Sequence, residues 1–385
     1  MSSDRAGMRW SLKVGQVAGT VIYVHVTFFV LLAWIGVAGG LEKGSIAAAA
    51  EAVAFTTTLF ACVVLHEFGH AFMARRFGIR THDIVLLPFG GMGRLERIPE
   101  VPSQEFLIAL AGPAVSVGIA AVLFAGLRLQ GSAPLLEEFV TRDVPFAERL
   151  MFINAGLAAF NLLPAFPMDG GRVLRALLAT RLDYVRATEV AARIGQGIAV
   201  LFAIVGAVMP HPILVIIALF VWMGAAAEAG LAHIKRALRG ITAETAMRTE
   251  FGTLAPDDAL DVAAEVMVRH AQGDLPVLLD GYVVGLLTRR DVARWLSQHG
   301  ADRTAGDVMH RTFETVGRSD PLDAVFGRLS QEPDKTLLVT ETGRLVGLLG
   351  LDEITSLLRI RRAVARRQPH VTRAELPANR HTSTR

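Results

Sequence analysis

The sequence predicts a polytopic α-helical membrane domain followed by a smaller α/β domain. Three observations carry this. Hydrophobic residues make up 52% of the 385 and charged residues only 19%, whereas soluble chains carry about 25% charge. The apolar residues concentrate in long uncharged runs, and mean hydropathy is +0.42. After Arg239 polar composition returns, and the chain compares with itself at an offset of 62 residues. Abundant hydrophobics exclude a disordered chain. The single cysteine excludes an internal disulfide framework. Net charge is +3, with arginines clustered between apolar runs. That pattern points to membrane topology, with no nucleic-acid partner.

Val14 to Leu41 holds no Asp, Glu, Lys or Arg. It exceeds the roughly 20 residues a spanning helix needs and reads as a retained first span. Ala52 to Ala74 is the second, interrupted only by His66, Glu67 and His70. Ile84 to Gly93 is too short to span and contains Pro88, Gly90, Gly91 and Gly93. It reads as a re-entrant loop at membrane depth, or alternatively as a cytoplasmic strand packed on a helix end. Phe106 to Leu127 is the third span, and Leu150 to Met168, ending at Asp169, is the fourth. Ile194 to Ala227 is broken by Pro210-His211-Pro212 into a fifth and a sixth. Basic clusters around Arg5, Arg75, Arg94, Arg172, Arg193 and Lys235 fall on one side of this six-span scheme. The positive-inside rule makes that side, and both termini, cytoplasmic.

The domains expected are 1–239, the membrane part, and 240–362, two copies at 241–300 and 301–360. The remainder, 363–385, reads as a disordered tail rich in Arg, Pro, Thr and Ala. Within the repeat, Gly281-Tyr-Val-Val-Gly-Leu-Leu matches Gly343-Arg-Leu-Val-Gly-Leu-Leu, and Asp291 falls opposite Glu353. Each copy reads helix, strand, turn, strand, helix, with Asp280-Gly281 and Thr342-Gly343 as turn signals.

The interruption of the second span is His66-Glu67-Phe68-Gly69-His70. On a helix, imidazoles at i and i+4 share a face and can bind one metal ion, with Glu67 beside them to take a proton from water. Ionisable residues in an apolar span are costly and therefore functional by default. Zinc needs a third protein ligand, and Asp169 approaches the same leaflet in the scheme above. Cys62, one turn before His66, is a small apolar filler or a thiol near the metal. His25 is a packing or pore-lining residue, and Glu228 snorkels or pairs.

Asn161-Leu-Leu-Pro-Ala-Phe-Pro-Met-Asp169-Gly-Gly-Arg, taken with the pentad, resembles the site-2 proteases, intramembrane zinc metalloproteases. The resemblance implies that His66, His70 and Asp169 ligate one Zn2+ per chain and that Glu67 is the catalytic acid/base. It implies that Asn161 stabilises the oxyanion, with Asn154 a weaker candidate. Ala111-Gly112-Pro113 with Ser116 matches the same family, and Pro88-Phe89-Gly90-Gly91 resembles its membrane-facing strand. The implied substrate is a transmembrane segment of a single-span protein in the lipid bilayer of the cell membrane.

Residues 241–360 resemble a tandem CBS domain pair. In that family Gly-x-x-Thr-x-x-Asp binds an adenosine moiety, here Gly285, Thr288 and Asp291. The second copy has Gly350 where the first has Thr288. The resemblance implies either an adenine nucleotide at the pair or dimerisation alone, a homodimer through the tandem. A short basic segment, Lys235 to Gly240, joins it to the last span, so that it regulates substrate entry from the cytoplasm. The competing functions are a transporter gated by this pair and an inactive metal-binding homologue.

Overall fold

The computed structural model describes residues 10–88, 90–96, 99, 101–132, 144–299, 303–330 and 335–367. It divides into two compact units, Met1–Ile234 and Lys235–Arg385.

The first unit opens with a hairpin where the sequence predicts a span. Strands β1 (Ser11–Val17) and β2 (Thr20–His25) pair antiparallel. Ala18 and Gly19 turn between them at φ 51° and 90°. The run of β-branched and aromatic residues Thr-Val-Ile-Tyr-Val fits a pleated sheet better than a helix, and hydropathy alone cannot register that. Helix α1 (Val26–Lys43) begins only after His25, which caps it by accepting from Thr27 N at 3.3 Å. His25 is therefore a helix cap.

Helix α2 (Ile46–Arg76) carries the pentad and starts at the Ser45 cap. The apolar decapeptide that follows is not irregular backbone but a second hairpin, β3 (Thr81–Leu87) and β4 (Gly90–Leu95). Phe89 lies outside the described residues. Strands β2 and β3 pair in parallel, which gives one sheet in the order β1-β2-β3-β4. Sheet pairing satisfies backbone groups that an irregular loop would leave open. Strand β4 is an edge of the sheet.

Helix α3 (Pro102–Leu129) is followed by α4 (Phe146–Asn161), α5 (Asp169–Ala179), α6 (Tyr184–Val208) and α7 (Pro212–Leu238). Five of these helices, α1, α2, α3, α6 and α7, are long and apolar enough to cross a membrane. The fourth expected span is only a 16-residue helix. At 1.5 Å rise it reaches about 24 Å, short of a hydrocarbon core of about 30 Å. Pro164 and Pro167 prevent the helix from continuing, so Asp169 opens a new helix instead of closing an old one. Large apolar side chains such as Val30, Trp34, Ile204, Ile216 and Phe220 stay exposed on these helices, as lipid-facing surfaces do.

The second unit holds a five-stranded sheet ordered β5-β6-β9-β8-β7: β5 (Asp274–Leu279), β6 (Tyr282–Thr288), β7 (Thr315–Gly317), β8 (Leu337–Glu341) and β9 (Arg344–Leu349). Both hairpins turn on residue pairs with positive φ, Asp280-Gly281 at 52° and 84° and Thr342-Gly343 at 50° and 81°. Those values favour the turn that matches strand twist. The final described helix spans Leu351–Arg367, five residues past the expected tail boundary at Arg362. Residues 368–385 lie outside the described residues.

Candidate metal centre

Helix α2 brings His66 and His70 to one face, as i and i+4 require. The first residue of α5 brings Asp169 against them. His66 Nε2, His70 Nε2 and Asp169 Oδ2 lie pairwise 3.2 Å apart. Both histidines are buried, at 4% and 8% exposure. Among the described residues this is the cluster of His, Cys, Asp and Glu able to hold a metal ion. Ligands about 2.0–2.1 Å from a tetrahedral zinc stand roughly 3.3 Å apart, so the spacing and the donor chemistry fit that ion.

The far side of each ring is held as well. His70 Nδ1 donates to Ile108 O at 2.7 Å, which leaves the Nε2 lone pair facing the cluster. His66 Nδ1 pairs with Ser116 Oγ at 2.9 Å. Both partners belong to α3, and Ser116 is fully buried. Between them lies Gly112. A Cβ there would collide with His70 Nε2 and stand 2.6 Å from His66 Nε2. A Cβ on Gly69 would stand 2.6 Å from Ala111 O. The two helices therefore meet glycine to backbone, the close packing that small residues allow in membranes.

Glu67, the residue after His66 on α2, lies against strand β4. A Cβ on Gly91 would sit 2.7 Å from Glu67 Cγ, and one on Gly93 3.2 Å from Glu67 Oε2. The glycines that signal turns in the sequence serve here to let a strand edge pass beside a carboxylate. Asn161 ends α4, half-buried, ahead of the loop that leads to Asp169. Asn154 is fully buried and donates Nδ2 to Leu150 O at 2.8 Å. Cys62 packs into an apolar cluster with Phe55 and Leu150. Glu228 takes part in a buried ion cluster with Arg175 and Glu105. The sequence reading missed the last two, because no local spacing relates residues on three different helices.

In the second unit Thr288 Oγ1 donates to Asp291 Oδ2, and Asp291 is 7% exposed. His310 Nε2 meets the same oxygen at 2.8 Å. In the second copy Arg248 Nη2 meets Glu353 Oε1 at 2.7 Å, and Gly350 N donates to Glu353 Oε2 at 2.9 Å. Each motif carboxylate is thus engaged by a basic residue from the other copy, at matched positions of the repeat. Neither His310 nor Arg248 carries a motif signal. Only the offset of 62, which pairs residue 248 with 310, could have flagged them.

Residues 54–148 and 144–202 match the profile of peptidase family M50, and residues 243–298 and 305–360 that of the CBS domain. A zinc metalloprotease of Methanocaldococcus jannaschii is 29% identical over 356 residues, covering 92% of this chain and 97% of that protein. Stage IV sporulation protein FB of Bacillus subtilis is 32% identical over 168 residues, 43% of this chain and 51% of that protein. Among solved structures, a site-2 protease from M. jannaschii matches with a TM-score of 0.43 and 34% identity, covering 57% of this chain and 95% of that one. The chain belongs to peptidase family M50, the zinc metalloproteases of the site-2 protease group, as a membrane protein that carries a tandem pair of CBS domains.

Proposed function

We propose that this chain hydrolyses peptide bonds within the membrane-spanning segment of single-span proteins. The observation that carries the proposal is the convergence of His66, His70 and Asp169 donors at 3.2 Å with Glu67 beside them. These three residues would hold one Zn2+. When bound, the ion supplies a Lewis acid that polarises a carbonyl and acidifies a water. Glu67 takes the proton of the attacking water and delivers it to the leaving amine. The Asn161 amide donates to the charge that develops on the carbonyl oxygen.

A helical substrate hides its carbonyls in backbone hydrogen bonds, so the segment has to unwind near the cut. Poor helix formers there, Gly or Pro, favour cleavage. The edge strand β4 next to Glu67 offers unpaired backbone groups on which an unwound segment can be held. The positive-inside bias supports cytoplasmic termini and a cytoplasmic tandem. We read the tandem as a regulator that takes an adenine nucleotide at Thr288 and Asp291, and that also joins two chains. The converged donor set favours hydrolysis over the transporter reading, since transport needs no such triad with an adjacent base. Glu67→Gln separates hydrolysis from inactive metal binding. Co-expressed with candidate single-span proteins, the variant should keep wild-type zinc content and lose at least about 10²-fold in cleavage. Cleavage at the wild-type rate refutes the role of Glu67.

A further inference from the structure

The first unit contains a second polar cluster that the proposed chemistry does not use. Arg175, on α5, is 2% exposed, and Glu105, at the start of α3, is 1% exposed. Arg175 Nε donates to Glu105 Oε1 at 2.8 Å, and Nη2 donates to the same oxygen. Nη1 donates to Glu228 Oε2 on α7 at 2.9 Å. The guanidinium lies 5.0 Å from the ring centroids of Phe166 and Tyr184. Charges are rarely buried this deeply without a role or a partner.

The connections of this cluster lead to the metal triad by two routes. Along α3, Glu105, Ile108, Gly112 and Ser116 follow one another at steps of three, four and four residues, which places them on one helix face. Ile108 O holds His70 and Ser116 Oγ holds His66. The face that orients both histidines is therefore the face that Arg175 grips. The second route is the loop before Asp169. Phe166 in that loop is fully buried under the guanidinium. Pro167 is packed against α7 so closely that a Cβ on Gly224 would stand 2.9 Å from Pro167 N. Glu228, one turn beyond Gly224, holds Arg175 from the same helix. Asp169 is thus fixed on both sides, by a clamped loop before it and a clamped helix after it.

We infer that Arg175, held between Glu105 and Glu228, is a positioning residue that sets Asp169 against His66 and His70. The inference rests on the reading of those three as metal ligands. An arginine suits the task because its planar fork can bind two carboxylates in fixed directions, whereas a lysine is a single point donor. Residues that orient metal ligands typically cost about 10–100-fold in metal affinity when changed.

The test uses the full chain in detergent. Zinc affinity is read by chelator competition, and ligand geometry by the visible spectrum of the Co2+-substituted protein. Arg175→Lys keeps the buried charge and should remain folded in a thermal melt. Its zinc affinity should fall about 10–100-fold and its cobalt bands should change. Glu228→Gln, which keeps shape at the more exposed partner, should move both readouts in the same direction by less. Leu127→Ala, at the far end of α3, should lower the melting temperature and leave both readouts as in wild type. Wild-type affinity and spectrum in Arg175→Lys overturn the inference. If Arg175→Lys does not fold, the same result in Glu228→Gln does so. Equal shifts in Leu127→Ala also overturn it, since general loosening then explains the effect. Asp169→Ala separates this failure from the deeper one. If that variant holds zinc as tightly as wild type, the triad itself is misassigned.

Discussion

Gly112→Ala is a one-methyl perturbation aimed at the backbone between the two histidines. The added Cβ would stand 2.6 Å from His66 Nε2 and 2.6 Å from His70 Cε1. Ordinary contact begins near 3.4 Å, so the His66 ring has to retreat by roughly 0.8 Å and the His70 ring, whose Nε2 is closer still, by more, both beyond the ~0.5 Å that a working site tolerates. Neither ring is free to do so. Ile108 O holds His70 at 2.7 Å and Ser116 Oγ holds His66 at 2.9 Å. Both of those partners lie on the helix that carries the new methyl, so moving α3 away breaks them. Overpacking of this kind costs about 1–3 kcal/mol. Displaced donors should lower zinc affinity by roughly 10²-fold, about 2.7 kcal/mol. The assay is zinc per chain after dialysis against graded chelator, with a thermal melt of the same sample. Gly118→Ala is the control. It adds a methyl to the same helix with nothing within 4 Å, and should hold zinc as wild type does while gaining up to about 1 kcal/mol of helix propensity. Gly112→Ala with wild-type zinc affinity would refute the reasoning, because the helix would then not abut the donors.

Two further predictions concern the second unit. Asp291→Ala should abolish the heat of ATP or AMP binding to the full chain at low-millimolar nucleotide. Glu353→Ala should leave that heat unchanged, because the second copy has Gly350 where the first has the Thr288 hydroxyl; equal losses in both variants would argue for two equivalent sites. Partial burial pushes the Glu314 carboxyl up, but hydrogen bonds from Lys335 and Arg328 outweigh it and hold the group below its ordinary value. Its contribution is therefore present at neutral pH and lost as pH falls through and below the usual glutamate value of about 4.3. Glu314→Gln should lower the melting temperature of this unit at pH 7 and should narrow the gap to wild type on acidification. A gap that does not change with pH would refute the assignment.

The three candidate metal ligands were readable because their chemistry is local or costly. His66 and His70 announce themselves by helical spacing inside an apolar run, and Asp169 by a carboxylate at the end of another. The tandem was readable because a repeat shows as self-similarity whatever its packing. The turns at Asp280-Gly281 and Thr342-Gly343 were readable because positive φ restricts residue choice. The expectations that the structure changed are those where hydropathy was the only signal. Val14–His25 is as apolar as a span, but the neighbouring strand β3 offers its backbone a parallel partner, and it folds as sheet. Leu150–Met168 has a span's composition, but two prolines end its helix and release a loop that delivers Asp169.

By itself the sequence determined the division into an apolar helical part and a repeated α/β part, and the donor types at the candidate metal site. Each of these follows from composition or from spacing within one element. Only the tertiary structure decided that α3 orients both histidines, that β4 passes beside Glu67, and that Arg175 joins three helices around Asp169. Those contacts link residues 24 to 70 positions apart in the chain. No local pattern encodes them, because side-chain direction across a helix crossing depends on how closely the backbones approach, and here glycines at 69, 91 and 112 set that distance.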